Sequence, residues 1–287
     1  MARFKASVDL VRVSAVVRDR KGRFVSDLSA RDFEVLDNGQ PRPVTEFRRD
    51  EAGVSVALLV DVSGSMETRL ESAREEAQHL LSWMAPGSDE AAVFTFDTRL
   101  TEVTPFTNGL RRLPESMSSL VPFGATSLND AIAQTARRVA TRGGEARRRA
   151  VIVLTDGRDN WSRLTPGEVS GIASSIDVPV YIVGLVLGID NPSADVATVT
   201  AEQSALTGPL ADLARWTGGH TYVVSTPADR SVAARQIIDD LRHQYLLAFE
   251  SSGRPGWHPL VVRARGRDLI IRARSGYFAG QSRPNSE

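Results

Sequence analysis

Two aspartates, two serines and a threonine occupy positions that suit oxygen ligands of a hard metal ion. The segment LLVDVSGSM carries Asp61, Ser63 and Ser65 at alternate positions. Asp61 closes a nearly continuous apolar run, and a loop leaving such a strand can turn alternate side chains toward one point. Gly64 permits the tight turn between the serines. The segment VIVLTDGRDN repeats the arrangement, with Asp156 at the end of a second apolar run and Gly157 behind it. In GATSLNDAI, Thr126 stands just ahead of an amphipathic stretch. The set offers carboxylate and hydroxyl oxygens without sulfur or imidazole. That chemistry suits Mg²⁺, Mn²⁺ or Ca²⁺ over zinc or copper.

For these loops to converge they must leave the same end of one sheet. VSVALLVDVS reads as a central parallel strand buried on both faces. Leu70, Ala73, Ala77, Leu80 and Met84 recur at three- and four-residue steps, which predicts a helix that Pro86-Gly87 ends. AAVFTFD follows as a strand, and Leu128, Ala131, Ile132, Ala136 and Val139 mark a second helix. RAVIVLTD and VPVYIVGLVL are further apolar strands, LADLARWTGG a short helix stopped by glycines, and Ala234, Ile238 and Leu241 mark a last helix. This alternation predicts an α/β fold: a doubly wound, mostly parallel sheet flanked by helices. Ligands of such sheets bind at the carboxyl ends of the strands.

The flanks read differently. Val11, Val13, Ala15 and Val17 alternate with Arg12, Ser14 and Arg18, and Asn38-Gly39 sits between two strand-like runs as a hairpin turn. After His243 come three strand-like runs with Gly- and Pro-bearing turns between them. The expected division is an N-terminal β-rich segment over 1–50, the α/β domain over 51–243, a C-terminal β-rich segment over 244–280 and a disordered tail over 281–287. The two β-rich segments are expected to pack together as one small unit.

Asp-x-Ser-x-Ser at 61–65, Thr126 ahead of a helix and Asp156 in LTDG resemble the metal-ion-dependent adhesion site of the von Willebrand factor type A family. The resemblance runs over about 54–243 in motif order and strand-helix alternation, and none of the five positions departs from the pattern. VVRDRKGRFVSDLSARDFEVLDNG and the terminal YLLAFE and RARSGYF resemble a bacterial subgroup termed VWFA-related. The resemblance implies an ion bound by Asp61, Ser63, Ser65, Thr126 and Asp156, directly or through water. With only two charged ligands the ion keeps a coordination position for water, which an Asp or Glu of a partner protein replaces. It also implies an exported bacterial protein acting in adhesion or assembly, with no catalysis. The alternatives are a structural scaffold with an incidental metal and a metal-assisted hydrolase.

Taken singly, each motif has a plainer reading. Asp-x-Ser-x-Ser alone is most often a turn or helix N-cap, Thr126 a helix N-cap and Asp156-Gly157 a turn. Asp159 and Asn160 follow the last ligand closely and are candidates for partner contact, as well as ordinary solvated loop residues. Asp97 and Asp130 are candidates for the same rim, with a turn and a helix-dipole role as the simpler accounts. The long connection 187–208, with Asp190 and Asp195, is expected on the metal-bearing face, where it either sets partner choice or is a tolerated insertion.

Composition removes other classes. Thirty-five basic residues balance 35 acidic ones, so no net charge calls for nucleic acid or an anionic membrane. The arginines over 137–149 lack interleaved aromatics and read as a solvated helix end. The absence of cysteine excludes disulfides, thiolate metal sites and cysteine nucleophiles. No run reaches the roughly 20 apolar residues of a membrane span. Asp9 and Arg12 interrupt the only stretch that could mimic a signal peptide. There is no Gly-x-Ser-x-Gly elbow, phosphate loop, His-Glu-x-x-His helix or dinucleotide fingerprint, and the four histidines show no ligand spacing.

Overall fold

A computed structural model describes residues 10–49, 53–142, 147–186, 204, 206–265 and 268–279. Its centre is a six-stranded sheet in the order β10-β9-β8-β5-β6-β7. The strands are β5 (Val54–Asp61), β6 (Glu90–Phe96), β7 (Leu100–Asn108), β8 (Arg148–Thr155), β9 (Val180–Leu185) and β10 (Thr221–Val224). All neighbours are parallel except the edge pair β6–β7, so the α/β expectation holds.

Alternate residues of β5 feed two separate cores. Val56, Leu58 and Val60 face α1 (Leu70–Ser82) and α5 (Pro227–Arg242), whose Leu70, Ala77, Leu80, Ile237 and Leu241 close that layer. Ala57 and Leu59 face α2 (Leu128–Ala140), α3 (Pro166–Ser175) and α4 (Pro209–Trp216). Burial on both faces explains the unbroken apolar runs of β5 and β8.

Three elements were not legible in the hydrophobic pattern: β7, β10 and α3. β7 is an edge strand whose residues are half-buried or exposed, interrupted by Pro105. α3 is glycine- and serine-rich, and its sequence signal lies in its cap. Thr165 accepts a bond from Glu168 N, the Glu168 carboxylate returns to the Thr165 N–H, and Pro166 opens the helix.

The terminal segments form two further four-stranded sheets. One has the order β13-β1-β11-β4, the other β14-β12-β2-β3. They comprise β1 (Leu10–Arg18), β2 (Phe33–Asp37), β3 (Gln40–Arg42) and β4 (Glu46–Arg48) from one end of the chain. From the other come β11 (Gln244–Glu250), β12 (Gly256–Ala264), β13 (Ile270–Ala273) and β14 (Gly276–Ala279). Val13, Ala15, Tyr245, Leu247 and Phe249 of one sheet meet Phe33, Val35, Leu260 and Tyr277 of the other in a common core. The β2–β3 turn is built on Asn38 and Gly39, both at positive φ. The three strand-like runs read after His243 are four strands here. The last run divides at Arg274-Ser275, and its halves join different sheets.

Helix α5 continues directly into β11, which makes the joint between the α/β unit and the β unit. Asp240, fully buried, binds Arg18 of β1 at 2.8 Å and also Arg272 of β13. Arg148 donates to the Arg242 and Gln244 carbonyls at 2.9 and 3.0 Å, tying the start of β8 to the same corner.

Candidate metal site

From β5 the chain passes to β6 on one side, while β8 flanks the other. The loops after β5 and β8 therefore diverge and leave a crevice at the carboxyl ends of two adjacent strands. Val60 is paired with Leu154, so Asp61 ends β5 beside Thr155, and Asp156 follows at once. This register brings the two candidate carboxylates to one place.

Asp61 is held on both sides. Its Oδ1 accepts the Ser63 N–H at 3.0 Å, and its Oδ2 accepts the Thr155 hydroxyl at 2.7 Å. Thr155 Oγ1 in turn accepts the Gly157 N–H at 3.0 Å. Ser63 Oγ and Ser65 Oγ lie 3.2 Å apart, so the first loop gathers its three oxygen-bearing side chains. Thr155 was missed by motif reading. The signal for it is a β-branched hydroxyl one residue before the aspartate, at the strand end where hydrogen bonding to the neighbouring strand gives way to side-chain bonds.

The loop that carries Thr126 is tied to both other loops. Gly64 N–H donates to Gly124 O at 3.0 Å, and Phe123 N–H to Val62 O at 3.0 Å. A Cβ at Gly64 would lie 3.3 Å from Gly124 O, so glycine serves this approach better than any larger residue. On the other side the Thr126 N–H donates to Asn160 Oδ1 at 2.8 Å, and Thr126 O accepts from Asn160 N at 3.1 Å and Trp161 N at 3.0 Å. The residue at the N-cap of α2 is Ser127, so capping does not account for buried Thr126.

Asp156 is fully buried. Its Oδ1 accepts the Arg158 N–H at 3.0 Å. Its Oδ2 accepts no hydrogen bond among the described residues, and Arg158 Nε stands 3.8 Å away. Burial pushes the Asp61 carboxyl up to about 7, and the charge of Asp156 adds to the rise against the bonds from Ser63 and Thr155. Two acids buried side by side, one with an idle oxygen, form a site short of positive charge. Together with the paired Ser63 and Ser65 hydroxyls and with Thr126 on the adjoining loop, they make a donor set whose chemistry fits a hard divalent ion. No cluster of three or more Asp, Glu, His or Cys able to hold a metal occurs among the described residues. Tight binding would therefore have to come from two carboxylates and neutral oxygens.

The remaining candidates are placed as follows. Asp159 accepts from Asn129 N at 3.0 Å, Ser162 N at 3.0 Å and Trp161 N at 3.3 Å. Asn160 supports Thr126, as described. Both side chains bind backbone amides, holding the loops in shape. Asp130 likewise accepts from Leu164 N at 2.9 Å, and Asp97 from Arg99 N at 2.8 Å. Asp190 and Asp195 lie outside the described residues.

Residues 56–158, which include all five candidate ligands, match the family model of the von Willebrand factor type A domain. A comparison with curated proteins finds no match. Among solved structures, the chain is similar to the conserved hypothetical protein BatB from Bacteroides thetaiotaomicron. Identity is 19% and the TM-score 0.51, with 66% of this chain and 98% of the other covered. It is also similar to an aerotolerance-related membrane protein from Bacteroides fragilis NCTC 9343 carrying multiple mutations to serines. There identity is 20% and the TM-score 0.52, over 66% and 98%. At such identities the likeness speaks for the fold. Von Willebrand factor type A domains are in general protein-interaction modules.

Proposed function

We propose that this chain binds a partner protein through a divalent cation held by Asp61, Ser63, Ser65, Thr126 and Asp156. The ion is of the Mg²⁺ class, with Mn²⁺ and Ca²⁺ as alternatives, and an Asp or Glu of the partner completes its shell. The observation that carries this reading is the pair of buried carboxylates at adjacent strand ends, with Asp156 Oδ2 idle and Asp61 raised to about 7. When bound, the ion supplies a Lewis-acidic position for a carboxylate oxygen. Thr155 and the Ser63 amide fix the orientation of Asp61, Asn160 fixes Thr126, and Gly64 lets their loops approach.

A hydrolase reading is disfavoured by the same contacts. Ser63 and Ser65 pair with each other, and neither bonds a histidine among the described residues. The reading further takes the protein to act outside a bacterial cytoplasm, on the resemblance of its flanks alone. No helix among the described residues is long and apolar enough to cross a membrane.

Titration calorimetry of the full chain with Mg²⁺ and Mn²⁺ tests the proposal. One ion should bind per chain, and both Asp61→Asn and Asp156→Asn should abolish the heat while circular dichroism stays unchanged. An ion that binds either variant as well as the wild type, or no binding at millimolar ion, overturns it.

A further inference from the structure

Two large aromatic side chains stand in water on the loops of the candidate site. Phe123 is 80% exposed and Trp161 65%, and Val121, two residues before Phe123, is 79% exposed. Side chains of this size contribute most of their stabilisation when buried. Local folding gives no reason for these rings. The 121–126 loop is anchored by its backbone, and Trp161 contributes its N–H to Thr126 O at 3.0 Å rather than its indole. Three other exposed aromatics have ring or cation partners. Trp257 meets Phe278 edge-on at 5.2 Å, and Arg235 lies over Trp83 at 5.8 Å. Among the described residues neither Phe123 nor Trp161 meets a ring or a cation.

We infer that Phe123, Trp161 and Val121 form the apolar part of a docking surface whose polar centre is the cation, and that its occupant is a protein segment carrying a carboxylate flanked by apolar or aromatic side chains. The inference rests on the cation reading of the preceding section. Placement supports it: one ring sits three residues before Thr126 and the other donates its backbone to Thr126. The two rings therefore arise from two of the three loops that build the site. Charge supports it as well. On the proposed reading the ion keeps a coordination position for an anionic oxygen, and the Arg158 guanidinium, paired with Asp156 at 3.8 Å, lies at the same rim. The nearby carboxylates of Asp159 and Asp130 are turned onto backbone amides. An anionic occupant is favoured, and the rings require that its neighbours be apolar. Tryptophan and arginine around a desolvated polar centre are the residue types that dominate binding energy at protein interfaces.

The test uses the immobilised full chain and two sets of short peptides with randomised flanks, one with a central Asp and one with a central Asn. Each set is applied in Mg²⁺ and in EDTA. The wild type in Mg²⁺ should retain Asp over Asn peptides, enriched in aromatic and branched apolar flanks. In Phe123→Ser/Trp161→Ser the preference for Asp should persist while the flank enrichment disappears and affinity drops about tenfold or more. Unchanged Mg²⁺ heats in the variant show that the loops are intact. Equal flank enrichment in variant and wild type overturns the inference but leaves the cation reading standing. Asp and Asn peptides retained alike, or binding indifferent to EDTA, overturns the cation reading and this inference with it. Retention of a single-stranded oligonucleotide in preference to every peptide also overturns the inference.

Discussion

The two ends of strand β5 treat buried acid groups in opposite ways. At its start, Asp89 accepts the Val54 N–H at 3.0 Å, the Ala85 N–H at 2.7 Å and the Arg242 guanidinium at 3.2 Å. Burial pushes its carboxyl up, but these bonds outweigh the burial and hold it below the usual range. Asp240, at the same corner, has a guanidinium on each oxygen. At the far end Asp61 is raised to about 7, and Asp156 keeps an idle oxygen. The amino-terminal corner holds the α/β unit to the β unit and is satisfied within the chain. The carboxyl-terminal crevice is short of positive charge that a ligand can provide. Strength of pairing thus separates the acids that build the fold from those available for binding.

The largest expected effect tests the paired corner. Asp240→Ala strands Arg18 and Arg272 next to a buried void, and breaking such a pair costs about 3–5 kcal/mol. Urea denaturation should show that loss. In chelator, Asp61→Asn should lose less than about 1 kcal/mol, because the replaced carboxyl is already disfavoured as an anion. Equal losses at the two ends would break the comparison.

Glu76 sharpens it. This acid lies buried on α1, and both its oxygens accept no hydrogen bond among the described residues. Burial pushes it up to about 8, against the attraction of Arg230 on α5. Arg230 is engaged with neighbouring Glu75 at 2.6 Å. No loop opening or hydroxyl cluster accompanies Glu76, so lack of partners alone makes it a protonated acid and not a site. The folded value is raised above the unfolded value near 4.5. Its contribution to stability is therefore fully present below about 4.5 and lost as pH rises through about 8. Glu76→Gln should remove that decline, on the order of 5 kcal/mol across the window, in denaturation series at stepped pH. An unchanged pH profile would show that Glu76 finds a partner.

Ion linkage addresses the open end directly. With Mg²⁺ at 100-fold over its dissociation constant, the folded state should gain about 2.7 kcal/mol. Thermal unfolding should register this as a raised Tm in wild type and no change in Asp156→Asn. A gain in the variant equal to that of the wild type would locate the ion elsewhere.

How far the sequence shows this contrast depends on the kind of signal. β5 and β8 are legible because burial on both faces demands apolar side chains throughout, and the five candidate ligands because oxygen side chains interrupt such runs at their ends. The supporting contacts are not legible. Thr155 and Asn160 act through neighbours 94 and 34 residues away in the chain. The pairing of Asp240 with Arg18 and Arg272 depends on which strands of the β unit lie beside α5. The exposure of Phe123 and Trp161 likewise follows from where the loops carrying them lie. No local period encodes these relations; they arise from strand order.

Helix α3 is the case where a local signal existed and the pattern obscured it. Gly167, Ser170, Gly171, Ser174 and Ser175 weaken its helical periodicity. What starts the helix is the Thr165–Glu168 box, and what requires a small residue on one face is the β unit. A Cβ at Gly171 would lie 3.2 Å from Phe278 Cε2, and Arg274 donates to the Ser174 carbonyl. The helix is thus a second contact between the two units, on the opposite face of the sheet from α5. Thr165→Ala removes one cap and should cost about 1 kcal/mol by denaturant titration. Gly171→Ala should fail to return the propensity gain of about 1 kcal/mol that an exposed helix would show, because the added methyl meets Phe278. A stabilising Gly171→Ala would mean that α3 stands clear of β14. The corner at Asp240 would then carry the joint with less help from this face.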